Sequence, residues 1–557
     1  MKRRTRLLCL LLSILLLIGC APQGETSDPV TAPDSSGAAV DMQPETAVQT
    51  EAALAEIKAL GESPDDNYRT WYEIFVYSFC DSNGDGIGDL PGVISKLDYL
   101  QELGITGIWL MPVNPSQSYH KYDVANYYAI DPAYGTLEDM DALLRQCEQR
   151  DIKVIMDLVL NHTANNHQWF LTAVEYLKNL PAGAEPDLEE CPYVGYYYFD
   201  REGVGAYHAI PGTDWYYEGK FSPNMPDLNL ANGLVRQEID AIMAFWLGRG
   251  VHGFRLDAVK EFYSGDPKAN VEVLSWLQET ASAYREDVYL VGEAWEGFGG
   301  LPTYYESGMT SFFDFPFGTS DGKIATVLRA AGNPATVSTY APALVKVQDA
   351  FGEKNPEFID APFLSNHDVG RIAGFVNRDP MKTKLAGAMN IFMGGSCFIY
   401  YGEEIGMIGS GNDPSKRAPM YWNVSRNNGT TNPPPECELP EEYPFGALEE
   451  QLTDDASVYN YYRQAIAIRN AMPVIARGTV TVEEVLNQNC ISAQRKTWGE
   501  DTCIILINIS SEGAEVDLSA YSDWNLAAAL SADGNPITLN GTALHMPAFG
   551  VAVLIPQ

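Results

Sequence analysis

The sequence is poor in basic residues. It has 36 Lys and Arg against 74 Asp and Glu in 557 residues, which gives a formal net charge of −38. An excess of acids on this scale repels phosphates, so it disfavours nucleic acid and anionic lipid as partners. The charge suits a neutral ligand and a protein kept soluble outside the cell.

No apolar run near the N-terminus is long enough to cross a bilayer as a helix. The run at residues 7–18 follows Lys2, Arg3, Arg4 and Arg6 and ends at Gly19-Cys20. A spanning helix needs about 20 apolar residues, so residues 1–19 are interpreted as a secretory signal peptide. The order Leu-Ile-Gly-Cys resembles a bacterial lipoprotein cleavage site. It predicts a lipid on Cys20 and a location on the outer side of the bacterial membrane, with an ordinary signal peptide as the alternative.

Residues 20–66 contain few aromatic residues and are rich in Ala, Pro, Ser, Thr, Asp and Glu. Such a segment cannot bury enough apolar surface to fold, so it is predicted to be a disordered tether. After the first twenty residues seven cysteines remain, with no CxxC pair or histidine cluster typical of zinc. An odd number cannot all pair with each other, and a bridge between Cys490 and Cys503 is left open.

Strands and helices alternate after residue 67. The pattern predicts strands at 73–79, 105–111, 152–158, 252–258, 288–293, 311–315, 358–364 and 396–401, with helices at 93–103, 137–150 and from 233. This βα alternation predicts a (β/α)8 TIM barrel over residues 67–473. Short alternating strands then predict an antiparallel β-sandwich over residues 474–557.

Four of the predicted apolar strands carry ionisable residues at or near their C-terminal ends. Residues 153–162 end in Asp157, Asn161 and His162; residues 252–260 carry Arg255 and Asp257; residues 288–295 end in Glu293; and residues 363–368 end in His367 and Asp368. In a parallel barrel the carboxyl ends of the strands gather at one face, where active sites form. An arginine two residues before a carboxylate also favours its ionised form, which fits Arg255 and Asp257.

These four runs resemble the signature regions of the α-amylase family of retaining glycosidases, glycoside hydrolase family thirteen. They read DLVLNH, GFRLDAVKE, VGEAW and FLSNHD and occur in the family's order, and residues 107–112, 225–229 and 397–404 match further family runs. The resemblance implies a small domain B inserted after the third strand, over residues 163–223. It also implies an α-glucan or maltooligosaccharide as the substrate.

The resemblance assigns roles to individual residues. Asp257 matches the nucleophile, Glu293 the acid/base and Asp368 the third acid, and Asp157 matches the acid that supports Arg255. The residues that match substrate-binding positions, or are expected near them, are Tyr122, His120, His162, Arg255, Lys260, His367 and Arg371. Tyr122 is expected to be an aromatic platform for glucose, and Arg371 is expected to anchor Asp368.

A calcium site is predicted after the first strand. Asp81, Asn83, Asp85 and Asp89 place oxygen ligands at alternate positions, the Ile87 carbonyl adds another, and glycine stands at the sixth position. This is the first part of an EF-hand loop, although its closing glutamate is absent. The resemblance implies Ca²⁺ here, because the same loop is a known calcium site in the α-amylase family, and a plain Asx/Gly turn is the alternative.

Two positions bear on bond specificity. The run MPDLN at residues 225–229 lies between the variants typical of α-1,6-cleaving and neopullulanase-like relatives, and Ala258 stands where α-1,6-specific relatives often have valine. Both favour α-1,4 bonds. Glu261 follows Lys260 where the family usually has histidine, which puts the leaving-group subsites in doubt. The alternatives are an α-glucosidase, a neopullulanase-like enzyme, a 4-α-glucanotransferase, or a carbohydrate-binding lipoprotein without catalysis, which the presence of all three acids disfavours.

Overall fold

A computed structural model of the chain describes residues 64–181 and 183–557. The predicted signal peptide, Cys20 and nearly all of the predicted tether lie outside the described residues. None of the helices within the described ranges has the length and apolarity of a membrane span.

The strands in chain order are β1 (Thr70–Ile74), β2 (Gly107–Leu110), β3 (Lys153–Leu158), β4 (Phe199–Asp200), β5 (Tyr207–Ala209), β6 (Tyr216–Glu218), β7 (Gly253–Leu256), β8 (Tyr289–Gly292), β9 (Ser311–Phe312), β10 (Cys397–Tyr400), β11 (Thr479–Val482), β12 (Ile491–Trp498), β13 (Asp501–Asn508), β14 (Ala514–Asp517), β15 (Trp524–Leu530), β16 (Thr538–Asn540), β17 (Ala543–Met546) and β18 (Val551–Pro556).

The α-helices are α1 (Val76–Phe79), α2 (Leu90–Ile94), α3 (Leu97–Leu103), α4 (Leu137–Glu148), α5 (Gln168–Asn179), α6 (Gly233–Arg249), α7 (Pro267–Tyr284), α8 (Lys323–Arg329), α9 (Pro334–Val337), α10 (Tyr340–Lys354), α11 (Ile372–Phe375), α12 (Pro380–Ile391), α13 (Asp413–Lys416), α14 (Leu448–Gln451), α15 (Val458–Ala471) and α16 (Pro473–Arg477). Short 3₁₀ helices cover Pro192–Tyr196, Val259–Glu261, Leu301–Ser307 and Ser519–Tyr521.

Seven parallel strands form the barrel wall, in the order β10-β1-β2-β3-β7-β8-β9. Residues 360–362 fill the gap between β9 and β10: the Asp314 N–H donates to the Ala361 carbonyl at 3.0 Å, and the Phe398 N–H donates to the Pro362 carbonyl at 2.9 Å. The predicted fold class, a (β/α)8 barrel followed by an antiparallel C-terminal β domain, is confirmed.

Large aromatic side chains fill the barrel interior. The ring of Trp71 stacks on Tyr289 at 5.2 Å between centroids, and Trp109 packs against Phe313 at 5.3 Å. Because the interior is filled, a ligand has access to the strand ends rather than to a central channel. The indole N–H of Trp109 also donates to Asp157 Oδ2 at 3.0 Å, so the core continues directly into the polar strand ends.

Two predicted strands differ from the structure. The predicted strand 73–79 is instead the end of β1 followed by α1, because the apolar run EIFVYSF carries no periodicity that separates a strand from a buried helix turn. The predicted strand 358–364 makes a single parallel bridge, between Phe313 and Ala361. Its remaining contacts are loop-like hydrogen bonds that still close the barrel.

The segment between β3 and α6 contains α5 and a small antiparallel sheet of order β4-β6-β5, in the place predicted for domain B. The C-terminal region contains a sheet of order β11-β12-β13-β18-β15 and a second sheet of order β14-β17-β16. Its own apolar core includes Ile504, Leu544 and Leu554. Cys490 and Cys503 are both free, as are the five other cysteines in the described part.

Candidate active site

One guanidinium connects three carboxylates at the ends of β3, β7 and β8. Arg255 is fully buried, and its Nη1 donates to Asp157 Oδ1 at 2.5 Å and to Asp257 Oδ1 at 2.7 Å. Its Nη2 lies 2.9 Å from Glu293 Oε1. The strand register explains this convergence, since Arg255 is paired with Asp157 on one side and with Val291 on the other.

Glu293 has the environment of a carboxyl group that keeps its proton. Burial raises its pKa, Arg255 lowers it, and the negative charge of Asp257 raises it again, so that the pKa reaches about 7. The Ala258 N–H donates to Glu293 Oε2 at 3.1 Å. Ala258 has a left-handed φ of 47°, and this turn directs its amide towards the acid.

A charged histidine holds the third acid. His367 Nε2 lies 2.9 Å from Asp368 Oδ2, and its Nδ1 lies 2.6 Å from Glu73 Oε1. Burial opposes protonation of His367, but Asp368 and Glu73 outweigh it and raise the pKa to about 10. Both ring nitrogens therefore carry protons at neutral pH, and His367 donates to an acid on each side.

The anchor of Asp368 is Arg417, not Arg371. Arg417 Nη2 lies 2.8 Å from Asp368 Oδ1, and its Nε donates to the His367 carbonyl. Arg371 is buried, donates to the Tyr401 carbonyl at 2.6 Å, and lies over the ring of Tyr400. The expected contact from Arg371 is therefore wrong: Arg371 points into the packing below the site.

The predicted aromatic platform borders the same cluster. The Tyr122 ring stacks on His367 with 5.3 Å between centroids, and its hydroxyl is 3.2 Å from Asp157 Oδ2. His120 accepts the Tyr122 N–H through Nδ1 at 3.2 Å. Burial and the Arg417 charge lower the pKa of His120 to about 4, so this ring is neutral.

Two further predicted binding residues lie at the edges of the cluster. His162 is buried, forms a β-bridge with Asp227, and packs against Phe221 with 5.4 Å between ring centroids. Lys260 donates through Nζ to the Trp295 carbonyl at 2.9 Å and to Glu296 Oε1 at 3.1 Å. The structure thus brings the predicted acids together and places these two side chains around them.

A sequence profile described as the α-amylase catalytic domain matches residues 73–478. The chain belongs to the α-amylase family of glycoside hydrolases.

Individual relatives and solved structures support this membership along most of the chain. Alpha-amylase 3 of Dictyoglomus thermophilum is 37% identical over 444 residues, which cover 79% of this chain and 84% of the relative. The solved structure of Eubacterium rectale Amy13B is 44% identical, with a TM-score of 0.87 over 91% of this chain and 99% of that one. The crystal structure of the α-amylase from H. orenii is 32% identical, with a TM-score of 0.75 over 88% and 100% of the two chains.

Other relatives are named for the cleavage of a different bond. A glucan 1,6-alpha-glucosidase of Streptococcus pneumoniae is 29% identical over 515 residues, which cover 80% of this chain and 91% of the relative. The chain is therefore an α-amylase-family hydrolase, and the non-enzyme alternative is set aside.

The predicted calcium loop of this α-amylase-family chain folds as a series of Asx turns. Asp81 Oδ1 accepts the Asn83 N–H at 3.1 Å, and Asn83 Oδ1 accepts the Asp85 N–H at 2.8 Å. Asp85 Oδ1 in turn accepts the Ile87 N–H at 2.8 Å. Asp89 Oδ1 accepts the Gly92 N–H at 2.6 Å and caps α2. Within residues 64–181 and 183–557, no group of three or more His, Cys, Asp or Glu side chains is arranged to hold a metal ion. The donor set still fits Ca²⁺ chemically, because each carboxylate oxygen has a second lone pair and all the donors are oxygens.

Sequence reasoning missed Glu73 and Arg417. Glu73 lies in the buried strand β1. An acidic residue inside an otherwise apolar run is a sequence signal that could have identified it, since a charge is rarely buried without a partner. Arg417 follows α13 and is 49 residues from Asp368. Nothing local in the sequence distinguishes it from other arginines, so its contact could be found only in three dimensions.

Proposed function

We propose that this enzyme hydrolyses α-1,4-glucosidic bonds in starch-type glucans and maltooligosaccharides with retention of configuration. The observation that carries the proposal is the pairing of one buried guanidinium with both Asp257 and Glu293, together with the raised pKa of Glu293. Two carboxyl groups of opposite protonation state are what a retaining glycosidase requires.

In the proposed first step Asp257 attacks the anomeric carbon while Glu293 gives its proton to the leaving oxygen. The bond to the leaving sugar breaks, and a covalent glycosyl-enzyme ester forms. Arg255 donates a hydrogen bond to Asp257 Oδ1 at 2.7 Å and so orients this carboxylate for the attack. In the second step Glu293, now a carboxylate, removes a proton from water, which displaces Asp257 and restores the enzyme.

Asp368 and His367 act on the sugar rather than on the bond in this scheme. Asp368 is held ionised, because burial is outweighed by His367 and Arg417, which push its pKa well below the usual range. An ionised acid accepts strong hydrogen bonds from sugar hydroxyls. These bonds strengthen as the ring distorts towards the transition state, so they lower the barrier.

The anomeric form of the first product tests the mechanism. Proton NMR of an α-1,4-glucan digest in its first minutes should show the α configuration. Early β-configured product would exclude retention, as would a carboxyl separation in the inverting range of roughly 6.5–9.5 Å instead of about 5–5.5 Å in a structure of the enzyme.

Bond specificity is a proposal supported by Ala258 and by the relatives named α-amylase. A second candidate, action on α-1,6 bonds, is supported by the relatives named glucan 1,6-alpha-glucosidase and oligo-1,6-glucosidase. The products of separate digests of starch, pullulan, cyclodextrin, isomaltotriose and maltoheptaose distinguish these activities. Products longer than maltoheptaose would indicate a glucanotransferase, glucose alone an α-glucosidase, and cleavage of isomaltotriose the α-1,6 activity.

We also propose one Ca²⁺ ion bound by Asp81, Asn83, Asp85, Asp89 and the Ile87 carbonyl, and a lipid on Cys20 that anchors the enzyme outside the bacterial membrane. The oxygen-only loop supports the ion. The basic, apolar and Leu-Ile-Gly-Cys order of the leader supports the anchor. Both are tested in the Discussion.

A further inference from the structure

Two aromatic rings next to the catalytic centre are exposed to solvent. Trp295, two residues after Glu293, is 46% exposed, and its ring is held by stacking on Phe315 at 5.0 Å. Phe221 is 49% exposed and rests on the buried ring of His162. An exposed ring with a fixed orientation presents an apolar face, and the carbon–hydrogen face of a glucose unit is complementary to it.

Both rings are connected to the dipeptide that follows the nucleophile strand. Lys260 donates to the backbone carbonyl of Trp295. Glu261 forms an ion pair with Lys220, the residue before Phe221, and accepts a hydrogen bond from the Ser264 hydroxyl at 2.7 Å. Lys260 is therefore bonded to the segment that follows Glu293 and carries Trp295, and Glu261 to the segment that carries Phe221.

The segment that carries Phe221 is fixed to the barrel at two places. At its C-terminal end the Leu228 N–H donates to the Asn161 carbonyl at 2.8 Å. Within the segment, Asp227 Oδ2 accepts the Lys220 N–H at 3.1 Å. At its outer end the Lys220 side chain crosses to Glu261. The ion pair thus ties the residue before Phe221 to the segment after β7, and the Phe221 ring packs on His162.

We propose that the Lys220–Glu261 ion pair is a positioning device for the leaving-group side of the cleft, and that Phe221 and Trp295 bind the leaving-group glucose units. The proposal rests on the proposed reaction, in which Glu293 protonates the leaving oxygen. That role puts the leaving sugar beside Glu293, and hence beside Trp295. The inserted domain thereby contributes to the choice of substrate length.

An ion pair at this degree of exposure contributes little to folding stability, since the side chains of Lys220 and Glu261 are 36% and 18% exposed. A purely structural role therefore predicts little change in any activity on its removal. A positioning role predicts a selective loss with substrates that fill the leaving-group subsites.

The experiment compares two substrates that differ in their leaving group. Maltoheptaose places several glucose units on the leaving-group side, whereas α-maltosyl fluoride places a single fluoride there. The measured quantity is the ratio of kcat/KM for maltoheptaose to kcat/KM for α-maltosyl fluoride. We expect Lys220→Glu and Glu261→Lys each to lower this ratio about tenfold, mainly through KM, and the double exchange to restore most of it, because opposite charges again face each other.

Phe221→Ala and Trp295→Ala should lower the ratio roughly three- to tenfold, the range typical of one aromatic contact. The control is Trp498→Ala, which removes an exposed ring of the C-terminal domain, 37% exposed, and should leave the ratio unchanged. The inference is overturned if the single charge reversals leave the ratio unaltered, or if the double exchange stays as low as the singles. The proposed reaction itself fails separately, if the unaltered enzyme does not release α-maltose from α-maltosyl fluoride.

Discussion

At the scale of single residues, the two central acids have separate roles that substitution can distinguish. Asp257→Asn and Glu293→Gln should each leave substrate binding largely intact and lower kcat on the order of 10⁴-fold, because each removes an interaction made in the transition state. The measurement is kcat and KM on maltoheptaose, with the melting temperature as a check on folding. A loss confined to KM would contradict both assignments.

The pKa of Glu293 determines the alkaline limit of activity. Glu293 must carry its proton to release the leaving sugar, and its pKa is raised to about 7. We therefore expect kcat/KM on maltoheptaose to fall about tenfold per pH unit above pH 7. Fluoride leaves without needing a proton from Glu293, so kcat/KM for α-maltosyl fluoride should lack this alkaline fall. The same fall with both substrates would assign the limit to another group.

Arg417 and Arg371 form a matched pair of buried arginines, one in contact with Asp368 and the other not. Arg417→Met should lower kcat/KM roughly 10- to 100-fold, the range expected for losing a hydrogen bond to a charged group. Arg371→Met should instead lower the melting temperature and leave kcat largely intact, since Arg371 donates to the Tyr401 carbonyl and packs on Tyr400. A loss of kcat/KM in Arg371→Met but not in Arg417→Met would support the expectation from the sequence that Arg371 anchors Asp368.

At the scale of elements, the proposed Ca²⁺ site in the loop between α1 and α2 can be tested through the stability of the protein. An ion that binds the folded chain alone stabilises it by mass action, by about 2.7 kcal/mol at 100 times Kd. Chelator should lower the melting temperature, and Asp85→Ala should remove the difference between calcium and chelator. Asp98→Ala, on the nearby helix α3, is the control and should keep the response. Equal melting temperatures with calcium and with chelator would refute the site.

The strands that carry the acids were predictable, whereas the connections around them were not. The strands at residues 153–158, 253–256 and 289–292 are mostly apolar, and Asp157, Arg255 and Glu293 lie within them or directly after them. Mostly apolar runs of this length are typical of buried parallel strands. The run at 73–79 is equally apolar but changes from β1 to α1 after Ile74. The spacing of apolar residues does not distinguish a strand from a helix there, because both β1 and α1 are largely buried.

The site was predictable where its residues share a strand or a motif. Asp157 lies directly opposite Arg255 in the sheet, and Glu293 follows β8 two residues after Val291, which lies opposite Arg255 on the other side. Arg417 reaches Asp368 across 49 positions of chain, and the fold alone brings them together. Arg371 was favoured by closeness in sequence, which in a loop says little about where a side chain points.

At the scale of the whole molecule, the leader and the folded chain make a prediction about location. Cys20→Ala should move the enzyme from the membrane fraction to the soluble fraction, because the lipid is the proposed link to the membrane. Cys490→Ala is the matched control, since it changes a free cysteine of the C-terminal region. Retention of the Cys20 variant in washed membranes would contradict the anchor.

The single guanidinium shared by Asp157, Asp257 and Glu293 makes the three acids an energetically coupled set. Arg255 lowers the pKa of both Asp157 and Glu293, and the charge of Asp257 raises both, so the pKa values of Asp157 and Glu293 depend on the charges of their neighbours. Effects of substitutions at these positions should therefore not add, and double-mutant cycles among them should give coupling energies well outside experimental error. Evolution of a new pH range in this enzyme would then require joint changes around Arg255, because a change in charge at Arg255 or Asp257 shifts the pKa of Glu293 and of Asp157 together.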